Sequence, residues 1–168
     1  MKKPDIIIVD DHQIFRKGIK SIITIENIAN VIGEASTGEE FLKLLSHLNP
    51  DLVLLDIDMP HMNGLEATEK ALEMMPDLKI MAFTMFGDEE YFIRMIELGA
   101  MGYMLKSSDM SELEKAIHHI MKGEKYFSNH QFKRNSSHLG TKEVKKIYEN
   151  HSHSHKGNGS GDLFPPWF

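Results

Sequence analysis

The sequence predicts an α/β fold, a parallel sheet of five strands with helices on both faces. Three observations predict it. Five short apolar runs recur through the first 125 residues. Most are unbroken rather than alternating, as expected of strands covered on both sides. Segments of helical period separate them, with capping and helix-stopping residues at the seams.

The elements follow in order. Ile6–Val9 is the first strand, and Phe15, Ile19, Ile22 and Ile23 recur at helical spacing after it. Val31–Ala35 is the second strand. Thr37-Gly-Glu-Glu40 then reads as a capping box, in which the Thr37 hydroxyl and the Glu40 carboxylate cover free N–H groups. Phe41, Leu44, Leu45 and Leu48 mark the second helix, and Pro50 lies just past it. Leu52–Leu55 is the third strand. Leu65, Thr68, Ala71, Leu72 and Met75 mark the third helix, followed by Pro76. Ile80–Phe83 is the fourth strand. Asp88 is placed to cap a helix carrying Phe92, Met95 and Ile96, which Gly99 ends. Tyr103–Leu105 is the fifth strand. Asp109 is placed to cap the last helix, with Leu113, Ala116, Ile117 and Ile120 on its apolar face and Gly123 as its stop. Right-handed crossovers turn five such β–α units into an open sheet. The matching strand order is the flavodoxin-like 2-1-3-4-5.

Composition narrows the class. The chain has 168 residues, 41% hydrophobic and 26% charged, the profile of a soluble globular domain with a tail. It has no cysteine, which excludes disulfides and thiolate metal sites and fits a cytoplasmic location. The apolar run near the N-terminus is too short for a signal sequence or membrane span. A formal charge of −6 does not suggest a nucleic-acid binder.

Residues 1–125 are therefore read as one domain and 126–168 as a poorly structured polar tail or the remnant of an output segment. After Ser128 the chain is rich in His, Lys, Asn and Ser. Lys142 to Tyr148 has few apolar residues to support a helix. His151-Ser-His-Ser-His155 and Gly157-Asn-Gly-Ser-Gly161 read as coil and linker. The end, Leu163-Phe-Pro-Pro-Trp-Phe168, is abruptly apolar.

In open α/β sheets chemistry sits at the carboxyl ends of the strands. Asp10 and Asp11 close the first strand and Asp56 closes the third. Those two strands are neighbours in the expected order, so the three carboxylates converge. Such a cluster is costly without a cation, and Mg2+ suits an all-oxygen set. Thr84 adds a hydroxyl after the fourth strand and Lys106 an ammonium after the fifth. A carboxylate nucleophile with metal, hydroxyl and lysine around it makes a phosphoryl-transfer site.

Val-Asp-Asp11, Leu-Leu-Asp-Ile-Asp-Met-Pro-His-Met-Asn-Gly64, Thr84 and Gly99-Ala-Met-Gly-Tyr-Met-Leu-Lys106 together resemble the response-regulator receiver domain of two-component systems. The resemblance covers residues 5 to about 125 and is nearest the NarL/LuxR type. It implies that Asp56 accepts a phosphoryl group from a sensor histidine kinase. It implies Asp10, Asp11, Asp56 and the Asp58 backbone carbonyl as metal ligands. Thr84 and Tyr103 would be the switch pair and Lys106 the phosphate contact. The implied protein is a phosphoacceptor switch, not an enzyme acting on a separate substrate. Its signal would leave through the fourth helix, fifth strand and fifth helix, where Arg94, Glu97, Lys106 and Lys115 suit a modest, reversible homodimer. No helix-turn-helix pattern follows Ser128, so DNA binding is not expected of this chain.

Two other readings compete. Asp56-Ile-Asp58 imitates the Asp-x-Asp signature of haloacid-dehalogenase phosphatases. There the signature follows the first strand; here it follows the third. The other is a transcription regulator with its output cut short, or a receiver that acts as a phosphorylation-independent protein-binding platform.

Overall fold

A computed structural model describes residues 2–128 except Phe86. The tail features from Lys142 to Phe168, including the alternate histidines and Trp167, lie outside the described residues.

The elements are β1 (Asp5–Val9), α1 (Gln13–Ile25), β2 (Asn30–Ala35), α2 (Gly38–Leu45), β3 (Leu52–Leu55), α3 (Gly64–Met74), β4 (Lys79–Thr84), α4 (Glu89–Leu98), β5 (Gly102–Leu105), α5 (Met110–Met121) and β6 (Tyr126–Phe127). The sheet order is β2-β1-β3-β4-β5-β6, and every pairing is parallel.

Alternate residues of each strand feed different cores. Ile7, Val9, Val53, Leu55, Ile80 and Ala82 pack with Phe41 of α2, Ala67 and Ala71 of α3, and Phe92 and Met95 of α4. Ile6, Ile8, Leu52, Leu54, Met81 and Phe83 pack with Ile19 and Ile23 of α1 and with Leu113, Ala116, Ile117 and Ile120 of α5. Full burial of one such side chain contributes about 1.5–3 kcal/mol. The two-sided burial explains why the strands read as unbroken apolar runs.

Two local expectations are corrected. The sheet has six strands, not five, because Gly123 adopts a positive φ and returns the chain to the edge of β5. The Tyr126 N–H donates to the Met101 carbonyl, and Phe127 packs edge-on against Phe92 at 5.6 Å. This short strand, assigned from the sequence to the tail, covers an otherwise open edge. The capping box forms at the start of α2: Thr37 accepts from the Glu40 N–H, and the Glu40 carboxylate accepts from the Ser36 N–H and hydroxyl. Those bonds hold the Glu40 carboxyl below its ordinary pKa. Asp109 stands at the start of α5 but makes no side-chain cap bond, unlike Asp88, which accepts from the Glu90 N–H.

Gly18 lies in the interior of α1, is exposed, and has open space where a Cβ would be. Glycine there costs backbone entropy without serving a contact. Gly18→Ala should stabilise the fold by about 0.5–1 kcal/mol. A denaturant titration checks this; a lower midpoint would mean that α1 needs the close approach.

Candidate functional site

The ends of neighbouring parallel strands set the site. The Asp10 N–H donates to the Ala35 carbonyl, and the Asp56 N–H donates to the Val9 carbonyl. These bonds fix the two acids one residue beyond β1 and β3, side by side and almost fully buried. On the other side, the Lys106 N–H donates to the Thr84 carbonyl and so ties the end of β5 to the end of β4.

The Lys106 ammonium bridges the two acids. Nζ lies 2.6 Å from Asp10 Oδ2 and 2.8 Å from Asp56 Oδ2. It also sits 4.6 Å from the centre of the Phe15 ring, a cation–π contact that shields it from water. The Lys106 side chain is only 1% exposed. Its expected place among the surface charges of the α4–β5–α5 face is therefore corrected: its direction is inward, towards the acids.

Asp56 is held electrostatically between opposing effects. Burial raises its pKa, and the Asp10 carboxylate adds to this, while the Lys106 hydrogen bond and charge pull it down. The net direction is upward. The Asp58 N–H donates to Asp56 Oδ1 at 3.3 Å, which orients the carboxylate; the Asp58 residue itself is exposed.

Asp11 is partly exposed and joins the same cluster. One ligand atom each from Asp10, Asp11, His12 and Asp56 lies within 4.8 Å of the others. Asp11 Oδ1 is buried, and its close polar contact is His12 Nδ1 at 3.0 Å. A carboxylate oxygen in that position carries a desolvation cost that a bound cation removes. Oxygen donors at this density can hold a metal ion.

Thr84, the last residue of β4, is buried. Tyr103 is fully buried in β5 and packs edge-on against Phe92 at 5.2 Å. Burial is the main cause of its raised hydroxyl pKa. The structure thus brings Asp10, Asp11, Asp56 and Lys106 together, with Tyr103 in the core behind them.

Three neighbours were not singled out from the sequence. His12 turns Nδ1 to within 3.0 Å of Asp11 Oδ1 and 3.3 Å of Asp10 Oδ1. Arg16 donates to the Asp10 carbonyl, and Phe15 caps Lys106. All come from the start of α1. The available signal was position: a helix that begins straight after the strand-end acids lays its first turn over the same site.

The two shallow depressions nearest to cavities lie elsewhere. One, of about 270 Å³, is lined by Asn49, Pro50 and Met75–Leu78 at the amino ends of β3 and β4. The other, of about 280 Å³, involves Lys3, Lys20 and Thr24. Neither contains any of the acids.

This geometry has close counterparts. A transcriptional regulatory protein, DegU, from Brevibacillus brevis is 38% identical over 124 residues, 74% of this chain and 52% of that protein. The nitrate/nitrite response regulator protein NarL from Escherichia coli strain K12 is 40% identical over 123 residues, 73% of this chain and 57% of that protein. The chain thus spans little more than half the length of these relatives. The crystal structure of a LuxR-family two-component response regulator from Aurantimonas superposes with a TM-score of 0.75 at 31% identity, covering 85% of this chain and 99% of that one. The family model for the response regulator receiver domain matches residues 6–118. By fold and by sequence the chain belongs to the receiver-domain family of two-component response regulators.

Proposed function

We propose that Asp56 is the phosphoacceptor and takes its phosphoryl group from the phosphohistidine of a sensor histidine kinase. The observation that carries this is the buried Asp10–Lys106–Asp56 bridge beside Asp11. One Asp56 oxygen attacks phosphorus in line, forming the O–P bond as the N–P bond to the donor imidazole breaks. Lys106 then contacts the phosphoryl oxygens, where its charge is most useful. Asp10, Asp11, Asp56 and the Asp58 carbonyl would hold Mg2+, which supplies further charge neutralisation when bound. The domain supplies the chemistry of its own phosphorylation and dephosphorylation and needs no enclosed cavity.

The receiver is placed at residues 1–125, with Tyr126–Ser128 as its finishing edge and the remainder as a tail. A cytoplasmic location goes with a kinase partner, and no described helix is long and apolar enough to cross a membrane. A transcriptional output for the whole protein is suggested by the names of DegU and its kind.

The switch follows from differential binding. A phosphoryl group on Asp56 offers acceptors to the Thr84 hydroxyl, and Thr84 and Tyr103 then favour one arrangement of α4, β5 and α5. Arg94, Glu97 and Lys115 remain for a modest dimer contact there. Beryllofluoride with magnesium should raise the sedimentation mass of the wild type, and Thr84→Ala should blunt this response. Equal responses would remove Thr84 from the switch, and no response in the wild type would remove the dimer.

A further inference from the structure

We propose that His12 is a nitrogen ligand of the metal pocket, so that the pocket takes Mn2+, Co2+ and Zn2+ through a mixed nitrogen–oxygen set as well as Mg2+. This rests on the reading of Asp10, Asp11 and Asp56 as a metal site.

The geometry is specific. The ring of His12 is mostly exposed, yet Nδ1 faces inward. It lies 3.0 Å from Asp11 Oδ1, 3.3 Å from Asp10 Oδ1 and 4.0 Å from Asp56 Oδ2. Two adjacent ligands on an octahedral dication with bonds of about 2.1 Å stand about 3.0 Å apart. On a tetrahedral ion with similar bonds they stand about 3.4 Å apart. The two shorter separations fall in that range.

The backbone holds the ring there. His12 is the N-cap of α1, and its own N–H donates to Asp10 Oδ1 at 2.8 Å. The imidazole therefore shares one short turn with two of the carboxylates. Asp11 Oδ1, the nearest of these oxygens to Nδ1, is buried and has no hydrogen-bond partner besides this contact. A cation between the two gives that oxygen a partner and uses the lone pair of the neutral ring. The competing reading is a plain ion pair between a protonated ring and Asp11.

Ligand chemistry separates these readings. Carboxylate and carbonyl oxygens suit Mg2+ and Mn2+, whereas imidazole adds preference for Co2+ and Zn2+. The surface position of His12 makes its replacement compatible with folding. The experiment uses the full chain with His130, His138, His151, His153 and His155 changed to Ala, so that the tail histidines do not bind metal. His12→Ala, His12→Asn and Asp11→Asn are made on that background.

Pulsed electron paramagnetic resonance of bound Mn2+ reads the ligand atom directly. A directly bound imidazole gives nitrogen modulation of the echo, expected in the parent and absent from both His12 variants. Calorimetric titration should show Co2+ and Zn2+ affinity falling by about 10- to 100-fold in His12→Ala, at least what loss of an outer-shell partner costs. Mg2+ affinity should fall in Asp11→Asn and change little in His12→Ala. Mn2+ bound without nitrogen modulation, or Co2+ and Zn2+ affinities indifferent to His12, overturns the ligand role and leaves the acidic site standing. Failure of the parent to bind Mg2+ or Mn2+ at all overturns the acidic site, and this proposal with it.

Discussion

Asp56→Asn should reduce labelling by a small phosphodonor in magnesium to background while preserving the fold. In the proposed reaction the carboxylate is the nucleophile, and an amide oxygen in the same place is not one. The Asp10–Lys106 ion pair and the β1–β3 register do not depend on the lost charge. The pKa direction bears on stability. Burial lifts the Asp56 carboxyl above its ordinary value despite Lys106, so the charged form is less favourable in the folded chain than in the unfolded one. Wild-type protein without metal should therefore gain stability from this group as pH falls through its folded pKa. The Asn variant should lack that increment and melt no lower than wild type at neutral pH. Magnesium should stabilise wild type more than the variant, because a ligand of the bound state has been removed. Labelling is read as hydroxylamine-sensitive phosphate and intact mass, and folding as thermal melts with and without magnesium. Wild-type labelling of the variant would move the acceptor role off Asp56, with Asp11 the next carboxylate to test. Loss of labelling together with a collapsed melt would mean that the carboxylate serves the fold first.

The sequence was informative where one physical constraint acts on many residues. Burial on both faces made β1, β3, β4 and β5 legible as apolar runs, because neither side can be polar. The parallel topology then converted Asp10, Asp56 and Lys106 from distant positions into one site without any contact being visible. The sequence was less informative where a single backbone turn decides. β6 has only two residues, too few to show a period, and it exists because Gly123 reverses the chain beside β5. Lys106 was expected both at the phosphate site and among the surface charges; the facing acids and Phe15 explain why its side chain takes the inward course alone. His12 looked like a helix start, which it is, but its Nδ1 direction depends on side-chain geometry that spacing does not encode.

Gly64→Ala should damage fold and chemistry together. Gly64 opens α3, and its N–H donates to the Ile57 carbonyl at 2.8 Å. A Cβ built on it would stand 2.5 Å from the Asp56 carbonyl oxygen and 2.6 Å from the Ile57 Cα. Both are backbone atoms, so no side chain can swing aside to relieve the clash. Either the start of α3 retreats, weakening the Asn63 cap on the Glu66 N–H, or the Asp56–Ile57 backbone shifts. The expected cost is about 3 kcal/mol, the upper part of the overpacking range. The second route also moves the nucleophile away from Lys106, and a displacement of about 1 Å can cost about 100-fold in rate. Gly102→Ala is the comparison. Its Cβ would meet side chains of Ile120 and Met81 at 2.8 and 2.9 Å, with the Tyr126 carbonyl oxygen at 3.0 Å, on the β5–β6 side. That variant should lose stability while a folded sample still labels near the wild-type rate. Stability is read from denaturant titrations and chemistry from initial labelling rates at a temperature where both variants are folded. Wild-type labelling by Gly64→Ala would mean that α3 yields and the Asp56 backbone does not. Equal labelling losses in the two variants would mean that general loosening, not displacement of Asp56, controls the rate.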